Sequence, residues 1–162
     1  SLKGVEKVEQ GWIASEGEAG TFSEAVIVHF NHDQISLTVL IEIHLRTHKS
    51  TSQHSMRKKY RSAIYYFNVE QQIEVDQLLK GFQPKFDKQL ITQVLPYLRF
   101  KASGAEIKNY YYKNPGKPFC EAFIDPKLKM LLEQFSSYAD IGILKHLNMN
   151  TNESDRKSKK VL

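Results

Sequence analysis

One carboxyl group, several phenols and a thiol stand in this chain where strand and helix ends could bring them into one pocket. Glu24 opens a segment rich in β-formers, and Tyr60 stands at the mouth of another in the run Lys59-Tyr60-Arg61-Ser62-Ala63-Ile64-Tyr65-Tyr66. Tyr110, Tyr111 and Tyr112 close a predicted helix, and Cys120, the only cysteine, follows. That set of groups suits redox chemistry on a small polar group.

Val5 to Ile13 is a strand, and Glu16-Gly17-Glu18-Ala19-Gly20 is a turn. Ala25 to Phe30 alternates, with Val26, Val28 and Phe30 on one face, and Asn31-His32-Asp33 turns the chain. Ser36 is a helix N-cap followed by Leu37, Leu40, Ile41, His44 and Leu45 at helical spacing. Thr47 to Ser55 is a polar loop. Ser62 to Phe67 is a strand, and Asn68 caps a helix, with Gln71 completing a capping-box variant. That helix is expected to stop at a left-handed Gly81. Leu90 to Leu95 is a strand ended by Pro96. Ser103 and Glu106 form a capping box for a helix from about Gly104 to Lys113, stopped by Asn114-Pro115. Asp125-Pro126 is an N-cap with proline at the first helical position, and Leu128, Leu131, Leu132 and Phe135 form an apolar stripe behind it. Together these predict an α+β fold, a mixed sheet with helices packed on it, close to a ferredoxin-like split βαβ plait. Residues 1–140 read as one domain and 141–162 as a charged, disordered extension.

Composition bounds the function classes. The 162 residues are 41% hydrophobic and 25% charged, ordinary for a globular protein. No apolar run is long enough to span a membrane, and no signal peptide is visible. The net charge of +5 comes largely from Arg57-Lys58-Lys59 and from Arg156, Lys157, Lys159 and Lys160, read as a solvated face and a charged tail. A lone cysteine excludes an internal disulfide framework and a multi-cysteine zinc site, and it fits a reducing cytoplasm. His29, His32, His48 and His54 show no metal-ligand spacing, and His44 reads as helix packing.

Several short stretches, in order, resemble the A-type peptide methionine sulfoxide reductases. Leu2-Lys3-Gly4-Val5 is similar to an L-x-G-V, Ser23-Glu24-Ala25-Val26 to the end of G-H-A-E-A-V, and Asp33-Gln34-Ile35-Ser36 to D-P-x-x-I-S. Tyr60-Arg61-Ser62-Ala63-Ile64 matches Q-Y-R-S-A-I, the sharpest of the set. Tyr110 to Pro115 matches Y-x-x-K-N-P, and Ile124-Asp125-Pro126-Lys127-Leu128 resembles I-x-P-K-L.

The resemblance implies thiol-dependent reduction of methionine-S-sulfoxide, free or in oxidised peptides and proteins. A thiol such as that of thioredoxin serves as co-substrate, and no bound cofactor or metal is needed. It implies that Glu24 protonates the sulfoxide oxygen, that Tyr60 and Tyr110 donate to it, and that Trp12 packs on the substrate methyl group. For Glu24 the expected setting is a partly apolar pocket that keeps its proton on. Cys120 lies near a position where some members carry a recycling cysteine; a free cysteine is more often a small buried hydrophobe. The attacking cysteine of the family belongs to a G-C-F-W motif shortly before L-x-G-V, which places it upstream of Ser1, so the chain alone is expected not to turn over. The family's glycine-rich loop ending in P-T-Y does not fit between Trp12 and Glu24. Ser55 stands where the family has an aspartate, Ile107 where it has a histidine, and Phe22-Ser23 where it has Gly-His.

Two other classes are considered. One is a methionine-sulfoxide-binding domain without catalysis. The other, ranked last, is a ferredoxin-like nucleic-acid binder, for which the RNP-type run is missing. The working expectation is a monomer with no nucleic-acid or membrane partner.

Overall fold

The computed structural model describes residues 2–106, 113 and 117–142. The elements are β1 (Val5–Ala14), β2 (Ser23–Phe30), α1 (Leu37–Thr47), β3 (Ala63–Tyr66), α2 (Val69–Phe82), β4 (Gln93–Pro96), β5 (Arg99–Ala102) and α3 (Asp125–Gln134). Single helical turns at Gly17–Gly20 and Ser55–Lys58 lie in the connections, and a π-helical turn, Cys120–Ile124, leads into α3. The mixed α+β architecture expected from the sequence is the one found.

Strand pairing gives two ladders. β2, β1 and β5 form an antiparallel sheet in that order, and β3 and β4 pair in parallel across the α2 crossover. Two buried serines tie the ladders together. The Ser15 hydroxyl, at the end of β1, donates to the Pro96 carbonyl at the end of β4 (2.6 Å). Ser23, at the start of β2, bonds the segment just before β3. Gly11 has a steric reason in this sheet: a Cβ there would collide with the Lys101 carbonyl and the Phe100 ring of β5. Gly4 has a conformational one, φ +81°, and a Cβ would press on Gln34 and Ile35 of the turn behind β2.

The helices form because their ends and faces are locally specified. Ser36 accepts the Val39 N–H, and Asn68 accepts the Gln71 N–H at 2.8 Å. Gln71 reciprocates one residue earlier than a capping box does, accepting the Phe67 N–H. α1 is wedged between two partners. Ile41 and Leu45 meet Val75 and Phe82 of α2 over Ile64 and Val94 of the parallel pair. Ile43 and Val39 meet Leu131 and Phe135, with Leu128 and Leu132 beside them, so the expected α3 stripe is the packed one.

Four local expectations are corrected. Gly81 does not end α2: it is an interior residue of a helix that continues through Phe82, and it is not among the glycines with positive φ. Asp125 is not an N-cap, because the chain is already helical through the π-turn when it reaches Pro126. The strand expected over Leu90 to Leu95 is the shorter Gln93–Pro96, and β5 was not foreseen. The expected helix near Gly104 to Lys113, its Asn114-Pro115 stop and the tail beyond 142 lie wholly or largely outside the described residues.

Candidate active site

β1 and β2 create the first part of the site through their register. Trp12 and Glu24 are direct cross-strand partners, so both side chains stand on one face, with Lys101 of β5 opposite Trp12 on its other flank. The Glu24 N–H then donates to the Lys59 carbonyl at 2.9 Å, carrying the segment before β3 to the start of β2. Lys59 points its ammonium between two rings, 5.9 Å from the Trp12 centroid and 5.2 Å from that of Tyr60. Trp12, Glu24, Lys59 and Tyr60 therefore gather at one place.

Ser23 holds this junction. It is fully buried, donates to the Lys59 carbonyl at 3.1 Å and accepts the Arg61 N–H at 2.8 Å. Ser23→Ala strips the junction of both bonds and leaves the Arg61 N–H without that acceptor. The expected loss is about 1–3 kcal/mol, read as a lower urea midpoint at unchanged slope. An unchanged midpoint would remove the serine from this role.

Glu24 differs from expectation in its surroundings: its side chain is exposed rather than enclosed by apolar groups. The reason lies in the outer face of the ladder, where the neighbouring Val26 and Val8 are also about half exposed. Tyr60 and Trp12 are half-buried. Cys120 is placed on a different element, the π-turn, at 0% exposure. Tyr110, with Tyr111 and Tyr112, lies outside the described residues.

The segment 57–62 has a second side. Arg57, Lys58, Arg61 and Ser62 line a cleft of about 850 Å3 together with Glu16 and Glu18, while Lys59 turns toward Trp12 and Tyr60. Beside Arg57, whose Nη1 bonds the His48 Nε2, His44 and His48 stack at 4.9 Å between ring centroids. The His44 Nε2 is buried without a hydrogen-bond partner. Burial foremost, then the neighbouring His48 and Lys127, push the His44 pKa down to about 4. Burial, then Arg57, Lys127 and His54, bring His48 to about 4 as well. His44 is partly buried, as expected of a packing residue, with its Nε2 the enclosed end.

Among the described residues, no group of three or more His, Cys, Asp or Glu side chains converges in a way that could hold a metal ion. No described helix is long and apolar enough to cross a membrane. Sequence reading gave Ser23 no role beyond its place in the Glu24 motif, and it treated Arg57 and Lys59 alike as solvated surface. Ser23 carried a faint signal as the neighbour of Glu24. Arg57 carried none, because its partners are backbone carbonyls.

The family model described as peptide methionine sulfoxide reductase matches residues 1–139. A peptide methionine sulfoxide reductase MsrA of Acinetobacter baumannii is 28% identical, covering 83% of this chain and 84% of that protein. One from Deinococcus radiodurans is 30% identical over 83% of this chain and 73% of its own. Among solved structures, reduced Mxr1 from Saccharomyces cerevisiae superimposes with a TM-score of 0.64 at 21% identity, covering 74% of this chain and 77% of that one. Mxr1 in complex with Trx2 gives 0.51 at 22% identity, covering 66% and 67%. With a family model spanning most of its length, the chain belongs to the peptide methionine sulfoxide reductases, in the MsrA branch.

Proposed function

We propose that the protein reduces methionine-S-sulfoxide to methionine at the Trp12–Glu24–Tyr60 junction, with a thiol as the source of electrons. The observation that carries this is the cross-strand pairing of Trp12 with Glu24, tied through the Lys59 carbonyl to Tyr60. A sulfoxide oxygen leaves only as it is protonated. Glu24 supplies a proton, and the Tyr60 hydroxyl donates to the oxygen as its charge grows. The exposed position of Glu24 suits a substrate that arrives from solvent on a peptide, and the Trp12 indole offers an apolar surface to the S-methyl group.

The balance of the reaction is simple. A thiolate attacks the sulfoxide sulfur and forms an S–S bond as the doubly protonated oxygen departs as water; water then adds to the thiol's sulfur, the S–S bond breaks, and a sulfenic acid, the thioether and one proton are released. A second thiol condenses with the sulfenic acid to a disulfide and water, and a dithiol such as thioredoxin reduces that disulfide. The 162 residues hold one thiol, Cys120, and its complete burial is that of a small packed hydrophobe and gives it access to neither role in this conformation. Tyr110 is proposed as the second oxygen-binding phenol.

The test is an assay of the full gene product with dithiothreitol and each epimer of a methionine sulfoxide peptide. The expected result is consumption of the S epimer alone. Binding of sulfoxide peptides without turnover would instead make this a recognition domain.

A further inference from the structure

Arg57 is the most heavily bonded side chain near the site, and nothing in its sequence context predicts that. Its Nε donates to the Ser52 carbonyl at 3.0 Å, and its Nη2 to the carbonyls of Ser52 and of Lys49 (2.5 Å). The Nη1 bonds the Tyr60 carbonyl at 3.2 Å and the His48 Nε2 at 3.3 Å. One guanidinium thus gathers the end of α1, the loop after it and the backbone of Tyr60. A lysine cannot substitute, because its ammonium lacks the planar fork that reaches acceptors on several sides at once.

The start of this loop has its own anchors, buried Ser50 donating to the Leu45 carbonyl and accepting the Ile91 N–H, but from residue 53 to 60 the chain is held by few bonds besides those of Arg57. His54 accepts the Arg57 N–H, and Met56 accepts from both Lys59 and Tyr60. Beyond these single turns, the described segment 51–60 has no strand or long helix to stiffen it. Yet its last two residues carry the Lys59 carbonyl, which receives Glu24 and Ser23, and the Tyr60 ring.

We infer that Arg57 is a positioning residue, a guanidinium clamp that sets the loop 49–60 so that Tyr60 and Glu24 converge on one sulfoxide oxygen. The inference deepens the reductase reading and rests on it for the identity of the ligand. It does not make Arg57 a group that touches substrate.

Trp12 is the only tryptophan, so its emission reports this junction directly. The experiment compares the wild-type chain with Arg57→Lys and with His48→Phe, which removes a single acceptor and leaves the carbonyl bonds. Two readouts are taken: Trp12 emission without ligand, and its titration with N-acetylmethionine sulfoxide amide and with the corresponding thioether. Wild type is expected to prefer the sulfoxide by about tenfold, since only the oxide accepts the Tyr60 hydroxyl. Arg57→Lys is expected to shift the emission and bring the two affinities within about twofold. His48→Phe is expected to do so in part, and it alone decides the matter if Arg57→Lys does not fold. Unchanged emission and unchanged preference in the folded variants would overturn the clamp. A wild type without preference, whose emission still moves in the variants, would retain the clamp and count against the reductase reading.

Discussion

Glu24→Gln in the full gene product is expected to lower kcat on the S epimer by about a hundredfold to a thousandfold, with KM within about threefold of wild type. The amide keeps a hydrogen-bond donor for the sulfoxide oxygen, so ground-state binding survives. It cannot release a proton as the S–O bond breaks, and the loss falls on the step where the oxygen charge develops. Its cross-strand partner Trp12 and its backbone bond to Lys59 are untouched by the change, so the fold of the junction is preserved. Steady-state kinetics with dithiothreitol make the comparison, and circular dichroism confirms the fold. An unchanged kcat would move the acid to another residue and leave Glu24 a solvated strand carboxylate.

The second large effect concerns acid stability. A histidine in the unfolded chain titrates near 6.5, whereas His44 in the fold titrates at about 4. Above pH 6.5 the ring is neutral in both states, and its full share of stability is present. As pH falls below 6.5 the unfolded chain takes up a proton that the fold refuses, so stability drops until about pH 4 and then levels. At pH 4.5 the loss from His44 is about 2–3 kcal/mol. His48 acts in the same direction, since its folded value is also about 4. Replacing His44 by Leu removes both the proton site and the unpartnered Nε2. Urea unfolding at pH 7 is expected to place this variant within about 1 kcal/mol of wild type. At pH 4.5 it is expected to be the more stable by about 2–3 kcal/mol. Equal losses in the two proteins between these pH values would show that His44 is not the acid-sensitive group. Other groups titrating in this range, including Glu9, held below the usual carboxylate range chiefly by its bond to His29, cancel in the difference.

Where the governing interaction spans a few residues, the sequence alone was sufficient. Ser36 and Asn68 announce helix starts because the N–H groups they cap lie three residues ahead. The alternation in β2, the apolar stripe of α3 and the Tyr60–Ile64 motif were legible for the same reason, and the ordered motifs were enough to name the family. What the sequence could not decide depends on partners far along the chain. β5 is four residues, Arg99–Ala102, with no apolar alternation of its own, and it is a strand because Gly11 leaves room for Phe100 beside β1. Gly81 stays helical because its neighbour Phe82 is anchored in the α1–α2 core, which outweighs the local cost of glycine. The alignment of Trp12 with Glu24 is a matter of register, in which a shift of one residue would turn them to opposite faces. Tertiary structure alone also left Glu24 in the open, sealed Cys120 and the His44 Nε2 inside, and gave Arg57 its carbonyls. Burial and backbone acceptors are properties of the assembled chain, and no local pattern of residue types encodes them.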